Sequence, residues 1–169
     1  NPFDVFMCLG VTGGTCVMLQ NSMAVANHLS PALGITVLHD VPSVVSMSTL
    51  PNSIKWVEVG GEPLTESVVS RVPSNAKLYN AYGPTEVCIT SAGKVVHELS
   101  LQRLASIGKP TPNVTSYIVN LYSDLEAPCP IGVAGELWLG GVQVARGYLH
   151  RPQRTAGAFI VHPWPETDL

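Results

Sequence analysis

The chain has 169 residues, 46% of them hydrophobic and 12% charged, which is enough apolar material for a compact core and excludes a disordered chain. A formal net charge of −3 with only nine Lys and Arg leaves no basic stripe for a nucleic acid and no cationic patch for an anionic membrane, so neither partner is expected. No run reaches the ~20 unbroken apolar residues of a membrane-spanning helix, and Cys8, Cys16, Cys88 and Cys129 lack CxxC spacing, which together predict a soluble protein in a reducing, cytoplasmic setting.

Asn1 opens directly into an apolar run and the chain ends in the proline-broken Pro163-Trp164-Pro165-Glu166-Thr167-Asp168-Leu169, a pattern expected of a segment cut from a longer protein. In chain order, a helix is predicted over Phe3 to Leu9, a strand over Thr15 to Leu19 and a helix over Met23 to Leu29. Strands over Ile35 to His39 and Ile54 to Val59 follow, each rich in β-branched residues. Pro63 opens a helix over Leu64 to Arg71 with Thr65 and Glu66 in its first turn, and Lys77 to Ala81 is the next strand. This alternation predicts an α/β fold with a largely parallel, buried sheet. From Ile107 the texture changes to short β-type runs over Ser116 to Leu121, Gly135 to Leu139 and Val142 to Tyr148. The last two read as a hairpin turning at Gly140-Gly141, with Arg146 paired to an acidic neighbour. Arg103 to Pro112 is the expected seam, because Gly108-Lys109-Pro110-Thr111-Pro112 continues neither a helix nor a central strand. The organisation expected is thus residues 1–103 as an α/β subdomain and 104–169 as a small β-rich one.

The stretch richest in chemistry is Asn80-Ala81-Tyr82-Gly83-Pro84-Thr85-Glu86, directly after the Lys77 strand. Loops at the carboxyl ends of parallel strands line the ligand crevice of α/β sheets. A Tyr ring can stack on a base, an Asn amide can read its edge, a Thr hydroxyl can donate to phosphate, and a Glu can hold Mg2+ against phosphate oxygens. An ordinary Gly-Pro turn with incidental polar neighbours fits the same spacing. Val59-Gly60-Gly61-Glu62-Pro63 also joins a strand to a helix, where backbone N–H groups can face an anion, although such glycine pairs are common connectors.

Taken in order, WVEVGGEPLTE, NAYGPTE, IGKPTPNVTSYIVN and GELWLGGVQVARGYLHRPQRTAGAF resemble the adenylation domains of nonribosomal peptide synthetases, over Phe3 to about Phe159. The Asn-Ala-Tyr-Gly-Pro-Thr-Glu wording favours amino-acid-activating members over acyl- or aryl-acid ligases of the same AMP-binding superfamily. The resemblance implies the N-terminal region of an adenylate-forming enzyme, an α/β sheet subdomain followed by a small β-barrel-like subdomain. It implies the reaction of an amino acid with ATP and Mg2+ to aminoacyl-AMP and pyrophosphate, then transfer to the phosphopantetheine thiol of a peptidyl carrier domain beside condensation domains. The alternatives are an acyl- or aryl-acid ligase and a non-catalytic nucleotide-binding remnant.

By the same resemblance, Tyr82 stacks on adenine beside Ala81 and Gly83, Asn80 bonds its edge, and Gly60 and Gly61 pass close to the nucleotide. Thr85 contacts the α-phosphate and Glu86 ligates Mg2+, the two assigned as catalytic. Asp4 binds the substrate ammonium, and Val5, Cys8, His39, Val57, Val59, Ala81, Ile89 and Thr90 surround its side chain. The family's Lys-bearing phosphate loop, its Thr-Gly-Asp ribose segment and its C-terminal catalytic Lys have no counterpart here, and Asn120 stands where the family commonly has Asp. These residues by themselves are therefore expected not to turn over.

Overall fold

The computed structural model describes residues 13–17, 29–96, 104–120 and 128–161. The chain divides into two compact units, Asn1–Asn80 with Val95–Ser106, and Ala81–Lys94 with Ile107–Leu169. The elements among the described residues are a 3-10 turn (Pro31–Leu33), β1 (Val37–Asp40), α1 (Pro42–Met47), β2 (Trp56–Gly60), α2 (Glu66–Val69), β3 (Lys77–Tyr82), a second 3-10 turn (Thr85–Val87), β4 (Ala92–Val95), β5 (Lys109–Pro110), β6 (Val114–Val119), β7 (Glu136–Gly141) and α3 (Pro152–Ala158). One sheet has the order β1-β2-β3-β4-β5, and β6 and β7 form a second.

In the first unit the parallel pairing of β1 with β2 follows from the alternation of their side chains. Leu38 faces Val57 and His39 faces Glu58 across the ladder. Period-two geometry then sends Leu38, Val57 and Val59 to one face, and they are buried. Leu29, Val45 from α1, Ile54, Leu64, Val68 from α2, Leu78 from β3 and Leu104 complete that core. Removing a valine side chain of this kind from water contributes about 1.5–3 kcal/mol. α1 starts with Pro42, whose missing N–H is not needed there. Its exposed N-terminal donors are met from outside the helix: the Glu62 carboxylate accepts from the Ser43 backbone N–H at 2.9 Å and from the Ser43 hydroxyl at 3.0 Å. At the other end the buried Ser48 hydroxyl donates to the Val44 carbonyl at 2.7 Å, so its burial leaves no unmet polar group.

In the second unit β6 pairs antiparallel with β7 from Val114 opposite Gly141 to Val119 opposite Glu136, and β4 pairs antiparallel with β5. The α/β class stands, with a mixed parallel and antiparallel sheet; among the described residues no strands close into a barrel.

Several predicted elements change. Gly140 and Gly141 are not a hairpin turn; they lie inside β7, and Val142 to Tyr148 is loop. The glycines serve close approach: a Cβ on Gly141 would lie 2.1 Å from the Asn113 carbonyl oxygen, and one on Gly140 would lie 2.6 Å from the Thr115 hydroxyl. The partner of β7 is thus the earlier strand β6. Thr15 to Val17 forms no strand, because β propensity without a neighbouring ladder does not make one, and Met18 and Leu19 lie outside the described residues. Helix α2 is shorter than Leu64 to Arg71, since Thr65 is still extended at φ −123° and ψ 161°. The helix over Phe3 to Leu9 falls outside the described residues, as does the one over Met23 to Leu29 except for Leu29 itself.

Candidate functional site

The loop that follows β3 is built around Gly83. A Cβ there would sit 2.2 Å from the Ile89 carbonyl oxygen and 2.8 Å from the Ser91 nitrogen, so only glycine lets the two ends of the loop touch. The Ser91 N–H donates to the Tyr82 carbonyl at 2.8 Å, and the buried Ser91 hydroxyl donates to the Val87 carbonyl at 3.2 Å. Thr111 adds a backbone N–H to the Ser91 carbonyl at 2.9 Å. Inside this closed loop, Cys88 and Ile89 both take positive φ, 48° and 72°. For a β-branched residue that backbone is costly, about 1–3 kcal/mol, and it persists because the surrounding bonds over-determine it.

The loop brings Tyr82, Gly83, Thr85, Glu86, Ile89 and Thr90 together. Tyr82 keeps 36% of its surface exposed and Ile89 41%, while Ala81 is buried. Thr85 is exposed, and Glu86 and Thr90 are half-buried.

Glu86 is held twice from the segment before α3. Its main-chain carbonyl accepts from the Ala145 N–H at 2.8 Å, and its side-chain Oε1 accepts from the Tyr148 hydroxyl. The Tyr148 hydrogen bond, the residue's own backbone N–H and the Arg154 charge hold the Glu86 carboxyl below the ordinary carboxylate range, against a smaller opposing effect of desolvation. The same hydrogen bond pushes Tyr148 up, so both groups share the state of an ionised carboxylate and a protonated phenol. The Tyr148 ring meets Phe159 edge-on at 5.4 Å, and the Arg154 guanidinium lies 4.8 Å from the ring centroid. The guanidinium beside this pair is that of Arg154.

The first unit holds the other assigned residues. Gly61 adopts φ +83°, and the nearest atom to an added Cβ there is a Val41 methyl at 3.9 Å, so backbone conformation rather than space selects glycine. Gly60 ends β2 half-buried. Asn80 is buried, and its Nδ2 donates to the Ser106 carbonyl at 3.2 Å, so one of its two donors is committed within the fold. Val57 and Val59 sit in the core, whereas His39 is exposed on the opposite face of the sheet beside Glu58; the structure does not bring His39 and the two valines onto one surface. Asp4, Val5 and Cys8 lie outside the described residues.

Tyr148, Arg154 and Thr155 escaped the sequence reading. Tyr148 lies 62 positions from Glu86. The local trace of its importance is Gly147, whose φ of +136° and close approach to Thr155 pin the Tyr148 backbone.

The model of the AMP-binding enzyme family matches residues 3–149. The AMB antimetabolite synthetase AmbB of Pseudomonas aeruginosa is 38% identical in an alignment 163 residues long that covers 89% of this chain and 12% of that protein. Among solved structures, the holo four-domain nonribosomal peptide synthetase AB3403, bound to AMP and glycine, superposes with a TM-score of 0.68 at 27% identity, over 85% of this chain and 11% of that one. The nonribosomal peptide synthetase FmoA3 superposes with a TM-score of 0.79 at 23% identity, over 95% and 19%, a likeness of fold. The chain thus spans a small part of the relatives it matches.

Proposed function

Because the chain belongs to the AMP-binding enzyme family, we propose that it is part of an amino-acid-activating adenylation domain. The reaction joins an amino acid to ATP as aminoacyl-AMP with release of pyrophosphate, then passes the aminoacyl group to the phosphopantetheine thiol of a carrier domain. The observation that supports this most directly is the loop after β3, which presents a partly exposed aromatic ring, an exposed hydroxyl and a carboxylate kept ionised.

Each group has a task in that chemistry. The substrate carboxylate attacks the α-phosphorus, the bond to the bridging oxygen breaks, and pyrophosphate leaves with the electron pair. Tyr82 stacks on the purine, and the Gly60-Gly61 turn and Asn80 flank the nucleotide, with Asn80 contributing its uncommitted capacity. Thr85 donates to the α-phosphate as negative charge builds on its oxygens. The donor set suits Mg2+: Glu86 offers one carboxylate held below the ordinary carboxylate range, and magnesium typically takes one or two carboxylates with phosphate oxygens and water. Glu86 is the carboxylate that would hold it, and the ion supplies charge neutralisation to the phosphates.

On the substrate side, Asp4 pairs with the ammonium, and Val5, Cys8, Val57, Val59, Ala81, Ile89 and Thr90 remain the proposed surroundings of the side chain, while His39, on the sheet face opposite Val57 and Val59, is left out of that set. The AMP and glycine bound to the four-domain relative fit this reading. Peptidyl carrier and condensation domains are the proposed partners, and the cytoplasm the proposed location. No helix among the described residues is long and apolar enough to cross a membrane.

ATP–pyrophosphate exchange, measured on the natural protein that contains these residues, is expected to depend on an amino acid and to be absent from the 169 residues alone. Tyr82→Ala is expected to weaken AMP binding by about tenfold, as loss of base stacking does. Exchange stimulated only by acids that lack an amino group, or AMP binding identical in wild type and Tyr82→Ala, overturns the reading.

A further inference from the structure

A carboxylate that offers a single charge to a cation works only if its direction is fixed, and Glu86 sits on an accessible loop where its side chain could otherwise turn freely. The fixing group comes from the distant segment ahead of α3. We infer that Tyr148 is the positioning residue for Glu86: its hydroxyl holds Oε1 and so aims the carboxylate at the cation that accompanies the nucleotide. This rests on the metal role proposed above for Glu86.

Four features besides the Glu86 bond hold the Tyr148 ring and backbone. The Thr155 hydroxyl accepts from the Tyr148 backbone N–H at 2.9 Å. Phe159 packs edge-on against the ring, and Arg154 lies over it. Gly147 precedes it at φ +136°, where a Cβ would fall 2.4 Å from the Thr155 methyl. The phenol is therefore a fixed donor to which the carboxylate conforms. Ala145, three residues earlier, bonds the Glu86 carbonyl at 2.8 Å, so the same segment holds the main chain and the side chain of one residue. A carboxylate accepts up to about four hydrogen bonds or ligand bonds, so the Tyr148 bond leaves capacity for a cation. Outer partners that orient a metal ligand in this way commonly contribute about ten- to a hundredfold in metal affinity.

Tyr148→Phe retains the ring contacts and removes only the hydroxyl. In the natural full-length protein saturated with AMP, Mn2+ binding followed by electron paramagnetic resonance is expected to weaken by about tenfold in Tyr148→Phe. The Mg2+ concentration for half-maximal exchange should rise in parallel, while metal-free AMP affinity and the melting temperature stay near wild type. Glu86→Gln should weaken Mn2+ binding at least as much, and Tyr148→Phe combined with it should add little, since one residue acts through the other. If Glu86→Gln weakens Mn2+ binding and Tyr148→Phe does not, the positioning role is wrong and the metal site stands. If Glu86→Gln itself leaves Mn2+ binding unchanged, both fall. A Tyr148→Phe protein that melts lower and loses metal-free AMP affinity with unaltered Mn2+ binding marks a merely structural latch and also overturns the proposal. Should Tyr148→Phe not fold, Thr155→Ala, which frees the Tyr148 backbone, is expected to weaken Mn2+ binding in the same direction, and unchanged binding there overturns it.

Discussion

In the unit carrying β1, β2 and α1, the residues with no exposed surface are Val45, Ile54, Val57, Val59 and Val68, which serve one another, and Ser48, whose hydroxyl bonds back within its own helix. In the unit carrying residues 83–91, Ser91 has no exposed surface, and the loop closes through backbone hydrogen bonds, a glycine in contact with a carbonyl, and two residues at positive φ. The first arrangement gains from area removed from water and tolerates small changes of shape. The second depends on particular atoms meeting at particular distances. Stability in the one is distributed, whereas in the other it is tied to the geometry that presents Tyr82, Thr85 and Glu86.

Substitutions of similar chemical size should therefore act differently in the two places. Gly83→Ala adds one methyl against the Ile89 backbone at 2.2 Å, where no side chain can rotate away. Its expected cost is about 4 kcal/mol or more, with loss of AMP binding, in chemical denaturation and titration. A loss below about 1 kcal/mol would show that the loop is as forgiving as the core. Removing one methyl from the core, by Ile54→Val, should cost only about 0.5–1.5 kcal/mol and leave AMP binding intact. A larger loss there would mean that the core is held by close fit and not by area.

The smallest effect concerns Tyr79, which stacks on Trp56 with ring centroids 5.6 Å apart. Burial, and then the Glu58 charge, push its phenol above the ordinary value of 10.0. A raised folded value means that the stability is present in full below the unfolded value and is lost as pH rises through the folded one. Tyr79→Phe is accordingly expected to flatten the decline of melting temperature above pH 10.0 and to change nothing near neutrality. An unchanged alkaline decline would remove the linkage.

The strands β1, β2 and β3 were legible because alternation and β-branched composition are local properties, and their observed limits differ by a few residues from those expected. The Asn80 to Glu86 stretch was legible as chemistry for a related reason: an aromatic ring, a hydroxyl and a carboxylate after a strand end need no tertiary information to be noticed. Gly140-Gly141 misled because a glycine pair marks a turn and a close backbone approach equally well, and only the position of Asn113 distinguishes them. His39 is a related case: strand period puts it opposite Leu38, but its relation to Val57 and Val59 depends on the β1–β2 register.

Sequence by itself determined the α/β class and the family, and it nominated the groups proposed to meet a nucleotide, since residue type and order along the chain carry that information. Tertiary structure decided that Glu86 is grasped by Tyr148, that Asn80 already spends a donor on Ser106, and that Gly83 is indispensable. Those facts depend on pairs of atoms brought together by folding from distant positions, and no local periodicity encodes a distance of that kind.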